Sequence, residues 1–296
     1  MSLGLALSGG GAKGAAHIGV LQALKEENIK IDYISGTSSG SIIATLFACG
    51  YEPLEILRLF RTYCSEINDA DKLLPIKVVN TMFTGKLNIQ GLAKGDNLEN
   101  LIKSYTKVKG IKDITQISFP IVIPAVDIDT GEIIYFLNKK INTLENKVLQ
   151  SRNLYDDNPT YKYYGDIDDI VRASCSLPAV FLPKKIEEHL LVDGGIRINT
   201  PVSILKDMGA SKVLAVCFDT NRKGATKPNN IINIAIKSFD IMGHQSNFAE
   251  ISNADLVIRP DLKNIGLLDC KKIDYIARQG YLKTKEMIEK IKEMAK

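Results

Sequence analysis

Apolar residues in this chain fall into short unbroken runs, separated by longer stretches where they recur at helical spacing. Leu3 to Ser8 is the first run, closed by glycines, and it predicts a buried strand. Ala15 to Asn28 predicts a helix that Asn28 can close in a left-handed conformation. Ile31 to Ser35 predicts a second strand. The tight turn Gly36–Gly40 follows, and Ser39 to Cys49 predicts a helix stopped by Gly50. Pro53 suits the first turn of another helix, running to about Ile67.

Between 68 and 95 the periodicity lapses. Leu73-Leu74-Pro75, Val78-Val79 and Met82-Phe83 leave two readings, an irregular packed connection or a lid with an apolar rim. Asp96 and Glu99 form a capping-box pattern for a helix ending near Lys107. Phe119–Asp127 and Glu132–Leu137 predict strands joined through Asp129-Thr130-Gly131. Residues 138–165 are polar, carry Tyr155, Tyr161, Tyr163 and Tyr164, and predict an inserted surface loop. Asp166 to Ser176 predicts a helix, His189 to Val192 a strand, and Thr200-Pro201 the cap of the next helix. Lys212–Phe218 and Leu256–Ile258 predict strands, and Ile231–Ile251 a long polar-faced helix. Lys271–Ala295 predicts a final helix. Its stripe of Ile276, Met287, Ile288, Ile291 and Met294 suits core packing better than a membrane surface. Short strands alternating with helices predict a single α/β domain over 1–296 with a largely parallel sheet, and with 68–95 and 138–165 as lid or insertion segments.

Composition narrows the functional classes. The net charge of +4, from 38 basic and 34 acidic residues without a long basic cluster, argues against a nucleic-acid partner and is compatible with weak attraction to anionic lipid. Five scattered cysteines without a CxxC pair predict reduced, buried thiols, and three histidines remote from them in sequence predict no metal site. The opening residues lack the basic and apolar regions of a signal peptide, and no apolar stretch reaches membrane-spanning length. The expectation is a cytoplasmic protein.

Two glycine-rich turns and one Asp-Gly-Gly carry candidate chemistry. Gly9-Gly10-Gly11-Ala12-Lys13-Gly14 lies between a strand and a helix, where glycines let backbone N–H groups approach a phosphate or an oxyanion. Gly9, Gly11 and Gly14 also satisfy GxGxxG, a weak dinucleotide fingerprint by itself. Asp32, at about the ribose-binding distance, starts its strand instead of ending it, and no GK[ST] follows to make a Walker loop. Gly36-Thr37-Ser38-Ser39-Gly40 fits GxSxG between a strand and a helix, the setting of a nucleophile elbow. A serine needs a base. His17 sits among Ala16, Ile18 and Val20 as a packed helix residue, and His244 reads as surface. His189 leads into the strand before Asp193, which makes a Ser-His-Asp hairpin geometry awkward. Asp193 ends the apolar strand Leu190-Leu191-Val192 and is the better candidate, since functional groups of parallel α/β sheets gather beyond the strand C-termini; the plainer reading is an Asp-Gly turn. As a base it would need desolvation to raise its pKa.

Taken together, these motifs resemble the patatin-like phospholipases, especially compact bacterial members. The resemblance runs through LALSGGGAKGAAHIGVLQAL (5–24), GTSSGSI (36–42), RASCSLPAVFLP (172–183) and LVDGGIRINTP (191–201), in that order. It implies a three-layer α/β/α sandwich and a Ser-Asp dyad. Ser38 matches the nucleophile and Asp193 the dyad acid. Gly9, Gly10, Gly11 and Gly14 match the oxyanion loop, while Lys13 stands where many members have arginine and would support that loop. Asn199 and Pro201 would shape the backbone after the dyad. The implied substrate is a phospholipid or other fatty-acyl ester, met with peripheral membrane contact, and neither metal nor organic cofactor is implied. Two rivals are a non-catalytic lipid-binding protein and a dinucleotide-binding oxidoreductase.

Overall fold

The apolar run at the head of the chain becomes β1 (Leu3–Leu7), buried along its whole length. The computed structural model describes residues 1–64, 94–141, 159–218, 231–263, 265–267 and 269–296, without the side chains of 231–233, 236, 240 and 244–246. Most of the proposed lid or insertion segments 68–95 and 138–165 therefore lies outside the described residues.

Eight further strands join β1 in one sheet: β2 (Tyr33–Gly36), β3 (Ile121–Asp127), β4 (Ile133–Leu137), β5 (Thr160–Lys162), β6 (Lys184–Ile186), β7 (His189–Asp193), β8 (Lys212–Val216) and β9 (Leu256–Ile258). The order is β5-β4-β3-β2-β1-β8-β9, with β7 attached through β3 and β6 through β7. The pairs β1–β2, β2–β3, β1–β8, β8–β9 and β4–β5 are parallel, so the sheet is largely parallel. β3–β4, β3–β7 and β6–β7 are antiparallel. β5 takes residues 160–162 of the predicted surface loop into the sheet, beside β4.

Alternation along the strands divides the core. Leu5, Leu7, Ile121, Ile123, Leu214 and Val216 face one apolar cluster, whereas Ala6, Val122, Val213 and Ala215 face the other. The first cluster is closed by α1 (Ala15–Glu26), α2 (Ser39–Ala48), α3 (53–64), α4 (Asp96–Val108), α5 (Ile167–Ser174), α8 (Ile273–Glu286) and α9 (Ile288–Ala295). α6 (Ser203–Asp207) covers the second, and α7 (Ile231–Ser252) is tied to it through Glu250. Fully buried Leu5, Ile34 and Phe136 each contribute about 1.5–3 kcal/mol relative to exposure, and residues of this kind hold the three layers together.

Several local expectations give way to tertiary contacts. The predicted Asp96/Glu99 capping box does not form. α4 starts from Gly95 at φ 79°, and the Glu99 carboxylate accepts from Lys184 at 2.6 Å. Thr200 does not cap α6, because its buried hydroxyl has no partner among the described residues; the Glu250 carboxylate accepts instead from Val202 and Ser203 N–H at 2.9 and 2.7 Å. The predicted final helix is broken at Met287 (φ −98°, ψ 2°), just after Thr284 turns its hydroxyl back onto the Gly280 carbonyl at 2.8 Å. Its apolar stripe is core packing, with Ile276 and Ile291 fully buried. Among the described residues, no helix is long and apolar enough to cross a membrane.

Candidate active site

β3 has two edges. β4 occupies one of them, at Val122–Val126. The other is shared: β2 takes its first part (Ile34↔Ile121, Ser35↔Val122) and β7 its last (Ala125↔Asp193, Asp127↔Leu191). β2 runs with β3 and β7 against it, so the C-terminal ends of β2 and β7 point at each other across a gap of about 10 Å, at roughly 3.3 Å per residue. Ser38 lies on one side of the gap and Asp193 on the other. This corrects the reason for expecting Asp193 there. It ends an antiparallel strand meeting β2 head-on, not a parallel strand opening onto a shared edge.

The turn after β2 is held by backbone contacts. Thr37 N–H donates to Leu7 O at 3.1 Å, and its hydroxyl to Ile198 O at 2.9 Å. A Cβ on Gly36 would stand 2.3 Å from Gly40 O, and one on Gly40 2.6 Å from Leu7 O, so the turn closes only with glycine at both positions. Between them Ser38 adopts φ 52°, ψ −126°, a conformation that side-chain-bearing residues avoid. The turn directs the Ser38 side chain at the start of α2, where the helix dipole favours negative charge. Ser174 fills the gap itself: its hydroxyl accepts from Ser38 N–H at 3.1 Å and donates to Pro124 O at 2.7 Å.

Asp193 is 3% exposed; its carboxylate accepts from Gly195 N–H at 2.8 Å, and the Ser38 hydroxyl adds electrostatic stabilisation of its charge. Burial outweighs both contributions and pushes its pKa from 3.8 up to about 6. Both residues line a cavity of about 770 Å³, open mouth included, whose walls carry Leu177, Val180, Phe181 and Phe239.

Gly9, Gly10 and Gly11 line the same cavity. Gly9 N–H donates to Asn199 O at 3.1 Å, Ala12 N–H to Leu267 O at 2.7 Å and Lys13 N–H to Gly10 O at 3.1 Å. Gly11 has φ +56°, and a Cβ there would lie 2.2 Å from Leu267 O. Gly14, the fourth glycine of the predicted oxyanion loop, is not in the cavity wall; it packs against Ser39 and Phe60. Lys13 is buried, its Cβ close under Gly10.

The histidines are elsewhere. His17 donates from Nε2 to Ser8 O at 2.8 Å, rests on the Phe218 ring, and is driven by burial to a pKa of about 4. His189 stands at the opposite end of β7 from Asp193 and pairs with Asp127 at 2.7 Å. The His244 side chain lies outside the described residues. Asp32 precedes β2 and accepts from Leu3 N–H at 2.9 Å, so the acid of a dinucleotide site is missing from the end of that strand. Among the described residues, the carboxylates spaced for a metal are Glu99, Asp168 and Asp169, and Lys184 and Lys103 already answer their charge.

Sequence reasoning missed the contributions of four residues. Ser174 and Arg172 lie in RASCSLP, a motif quoted without a role for either. The buried Arg172 guanidinium donates to Lys94 O, to Leu182 O at 2.9 Å and to Ser176 Oγ at 2.5 Å, tying the loop after α5 to the start of α4. Asn199, expected only to shape the backbone, also contributes to the cavity wall. Tyr63, on α3, does the same with nothing in its local sequence to mark it.

The chain is 26% identical over 305 residues to an uncharacterised NTE family protein of Mycobacterium tuberculosis, covering 94% of this chain and 45% of that protein. It therefore spans about half the length of this curated relative. It is 29% identical over 235 residues to the uncharacterised protein YqhO of Bacillus subtilis, covering 75% of this chain and 73% of YqhO. Among solved structures, VipD from Legionella pneumophila shares the fold at a TM-score of 0.51 and 14% identity, over 98% of this chain and 67% of VipD. One family profile runs from residue 5 to residue 206, through the glycine loop, the Ser38 turn and the strand that ends in Asp193, and the chain belongs to that family, the patatin-like phospholipases.

Proposed function

We propose that this protein is a serine acyl hydrolase of lipid esters, acting through Ser38 and Asp193 and an acyl-enzyme. The reading rests on one observation above all: a serine in a strained turn at a helix start shares a cavity with, and electrostatically stabilises, a buried carboxylate whose pKa is raised to about 6. Family membership supports the class of reaction, and the apolar cavity wall supports a fatty-acyl substrate.

In the first half-reaction Asp193 accepts the hydroxyl proton as Ser38 Oγ bonds to the ester carbonyl carbon. The carbonyl oxygen takes up the negative charge facing the Gly10 and Gly11 N–H groups. Those of Gly9, Ala12 and Lys13 are engaged within the protein. Each oxyanion donor is worth about 3 kcal/mol in the transition state. The tetrahedral species collapses, the C–O bond to the alcohol breaks, and Asp193 returns its proton to the leaving oxygen. Water then repeats the sequence on the acyl-enzyme, releasing a fatty acid and restoring Ser38. A pKa near 6 leaves Asp193 ionised at neutral pH, and it is a stronger base than a solvated aspartate.

The test is direct. A fluorophosphonate should form a stoichiometric adduct on Ser38, and Ser38→Ala and Asp193→Asn should each abolish hydrolysis of a chromogenic fatty-acyl ester. Full turnover by a folded Asp193→Asn variant would remove the dyad from the mechanism.

A further inference from the structure

α7 presents one side to the protein and another to solvent. At 100° per residue, Phe239, Gly243, Asn247 and Glu250 fall on one arc, and the first two line the cavity that holds Ser38. The opposite arc holds Ile234, Ile241 and Phe248, spaced seven apart and so nearly in register, with Met242 alongside. These four are 52%, 55%, 79% and 50% exposed, respectively. Ser238 and Ala249 lie on the same side, and Lys237, three residues after Ile234 and four before Ile241, is the described charged residue beside the stripe. The outer side of this helix thus carries four exposed apolar side chains. A single exposed leucine or isoleucine is ordinary, but a line of exposed apolar side chains about 21 Å long at 1.5 Å per residue is not.

We infer that the outer face of α7 is a docking surface for a phospholipid bilayer. This rests on the lipid-ester reading above and deepens it. The straight stripe suits a planar apolar partner, and no described helix is built to cross one, so α7 would lie along the interface. The argument for lipid over another protein is continuity with the cavity. The helix that would sink Ile241 into the acyl layer presents Phe239 and Gly243 to the cavity, which brings that wall within one helix diameter, about 10 Å, of the substrate's acyl chains. The excess of basic residues over the chain favours an anionic surface.

The experiment sediments the full chain with vesicles of phosphatidylcholine and phosphatidylglycerol, comparing the natural sequence with Ile241→Glu/Phe248→Glu. Both positions point to solvent, so the variant should fold. Each substitution should lower vesicle partition about tenfold, and the pair about a hundredfold. Hydrolysis of vesicle phospholipid should fall in parallel, while turnover of a water-soluble short-chain ester should be unchanged. Partition of the double variant equal to that of the natural chain would overturn the inference. So would no partition of the natural chain, or a dimer that the double variant dissociates, since a second copy would then cover the stripe. Ser38→Ala separates the two readings. It should bind vesicles like the natural chain, and binding that depends on Ile241 and Phe248 without turnover of any ester would remove the hydrolase and leave the docking surface standing.

Discussion

Replacing Asp193 with asparagine should make the protein more stable at pH 8 and inactive. The carboxylate's pKa is about 6 in the folded protein against an ordinary 3.8, because burial penalises its charge more than Ser38 and Gly195 stabilise it. A tenfold change in proton affinity is about 1.4 kcal/mol, so ionising Asp193 in the folded state costs about 3 kcal/mol. At 3% exposure there is little solvent to screen that cost. The folded value lies above the unfolded one, so the contribution to stability is fully present below pH 3.8 and is lost as pH rises through about 6. Asparagine keeps the shape and can still accept from Gly195 N–H, but never ionises. Urea unfolding of both proteins from pH 4 to pH 8 isolates this group, because other titrations cancel in the difference. The stability of Asp193→Asn relative to the natural protein should rise by about 2.5 kcal/mol across that range, with most of the rise between pH 4 and 6. In the natural protein, kcat/KM should climb about tenfold per pH unit below pH 6 and level off above it. A stability difference flat with pH, or falling, would refute the claim that Asp193 is held desolvated.

Three other substitutions probe the frame around the dyad. Ser174→Ala leaves Ser38 N–H and Pro124 O without their shared partner; it should cost about 2 kcal/mol in urea unfolding and lower kcat more than it raises KM. Gly11→Ala forces a Cβ to 2.2 Å from Leu267 O at a positive φ. It should cost at least about 2 kcal/mol and, by displacing an oxyanion donor, lower kcat about a hundredfold in a steady-state ester assay. Glu250→Gln weakens the cap of α6 supplied from α7 and should cost about 1 kcal/mol with ester hydrolysis unchanged.

Much of the fold and site was legible in the residues themselves because the signals are local. Leu3–Leu7 is an apolar run without a break, and part of GxSxG works locally: the Gly36 and Gly40 backbones nearly touch, and only glycine at 36 permits it. Elements whose ends depend on distant partners were not legible. Glu250 caps a helix some 48 positions away, Lys184 draws Glu99 out of its capping box from 85 away, and Arg172 bonds Lys94 across 78.

The sequence by itself determined which residues could do chemistry: a serine that must stand in a strained turn, a glycine loop able to bring N–H groups close to a ligand, and an aspartate ending an apolar strand. Only the tertiary structure decided that they meet. β3 shares one edge between β2 and an opposing β7, and this brings Ser38 and Asp193 together across a gap that Ser174 fills. The physical reason is that strand direction and pairing are set by the packing of the whole sheet, and the carboxylate's raised pKa comes from burial by elements remote in the chain.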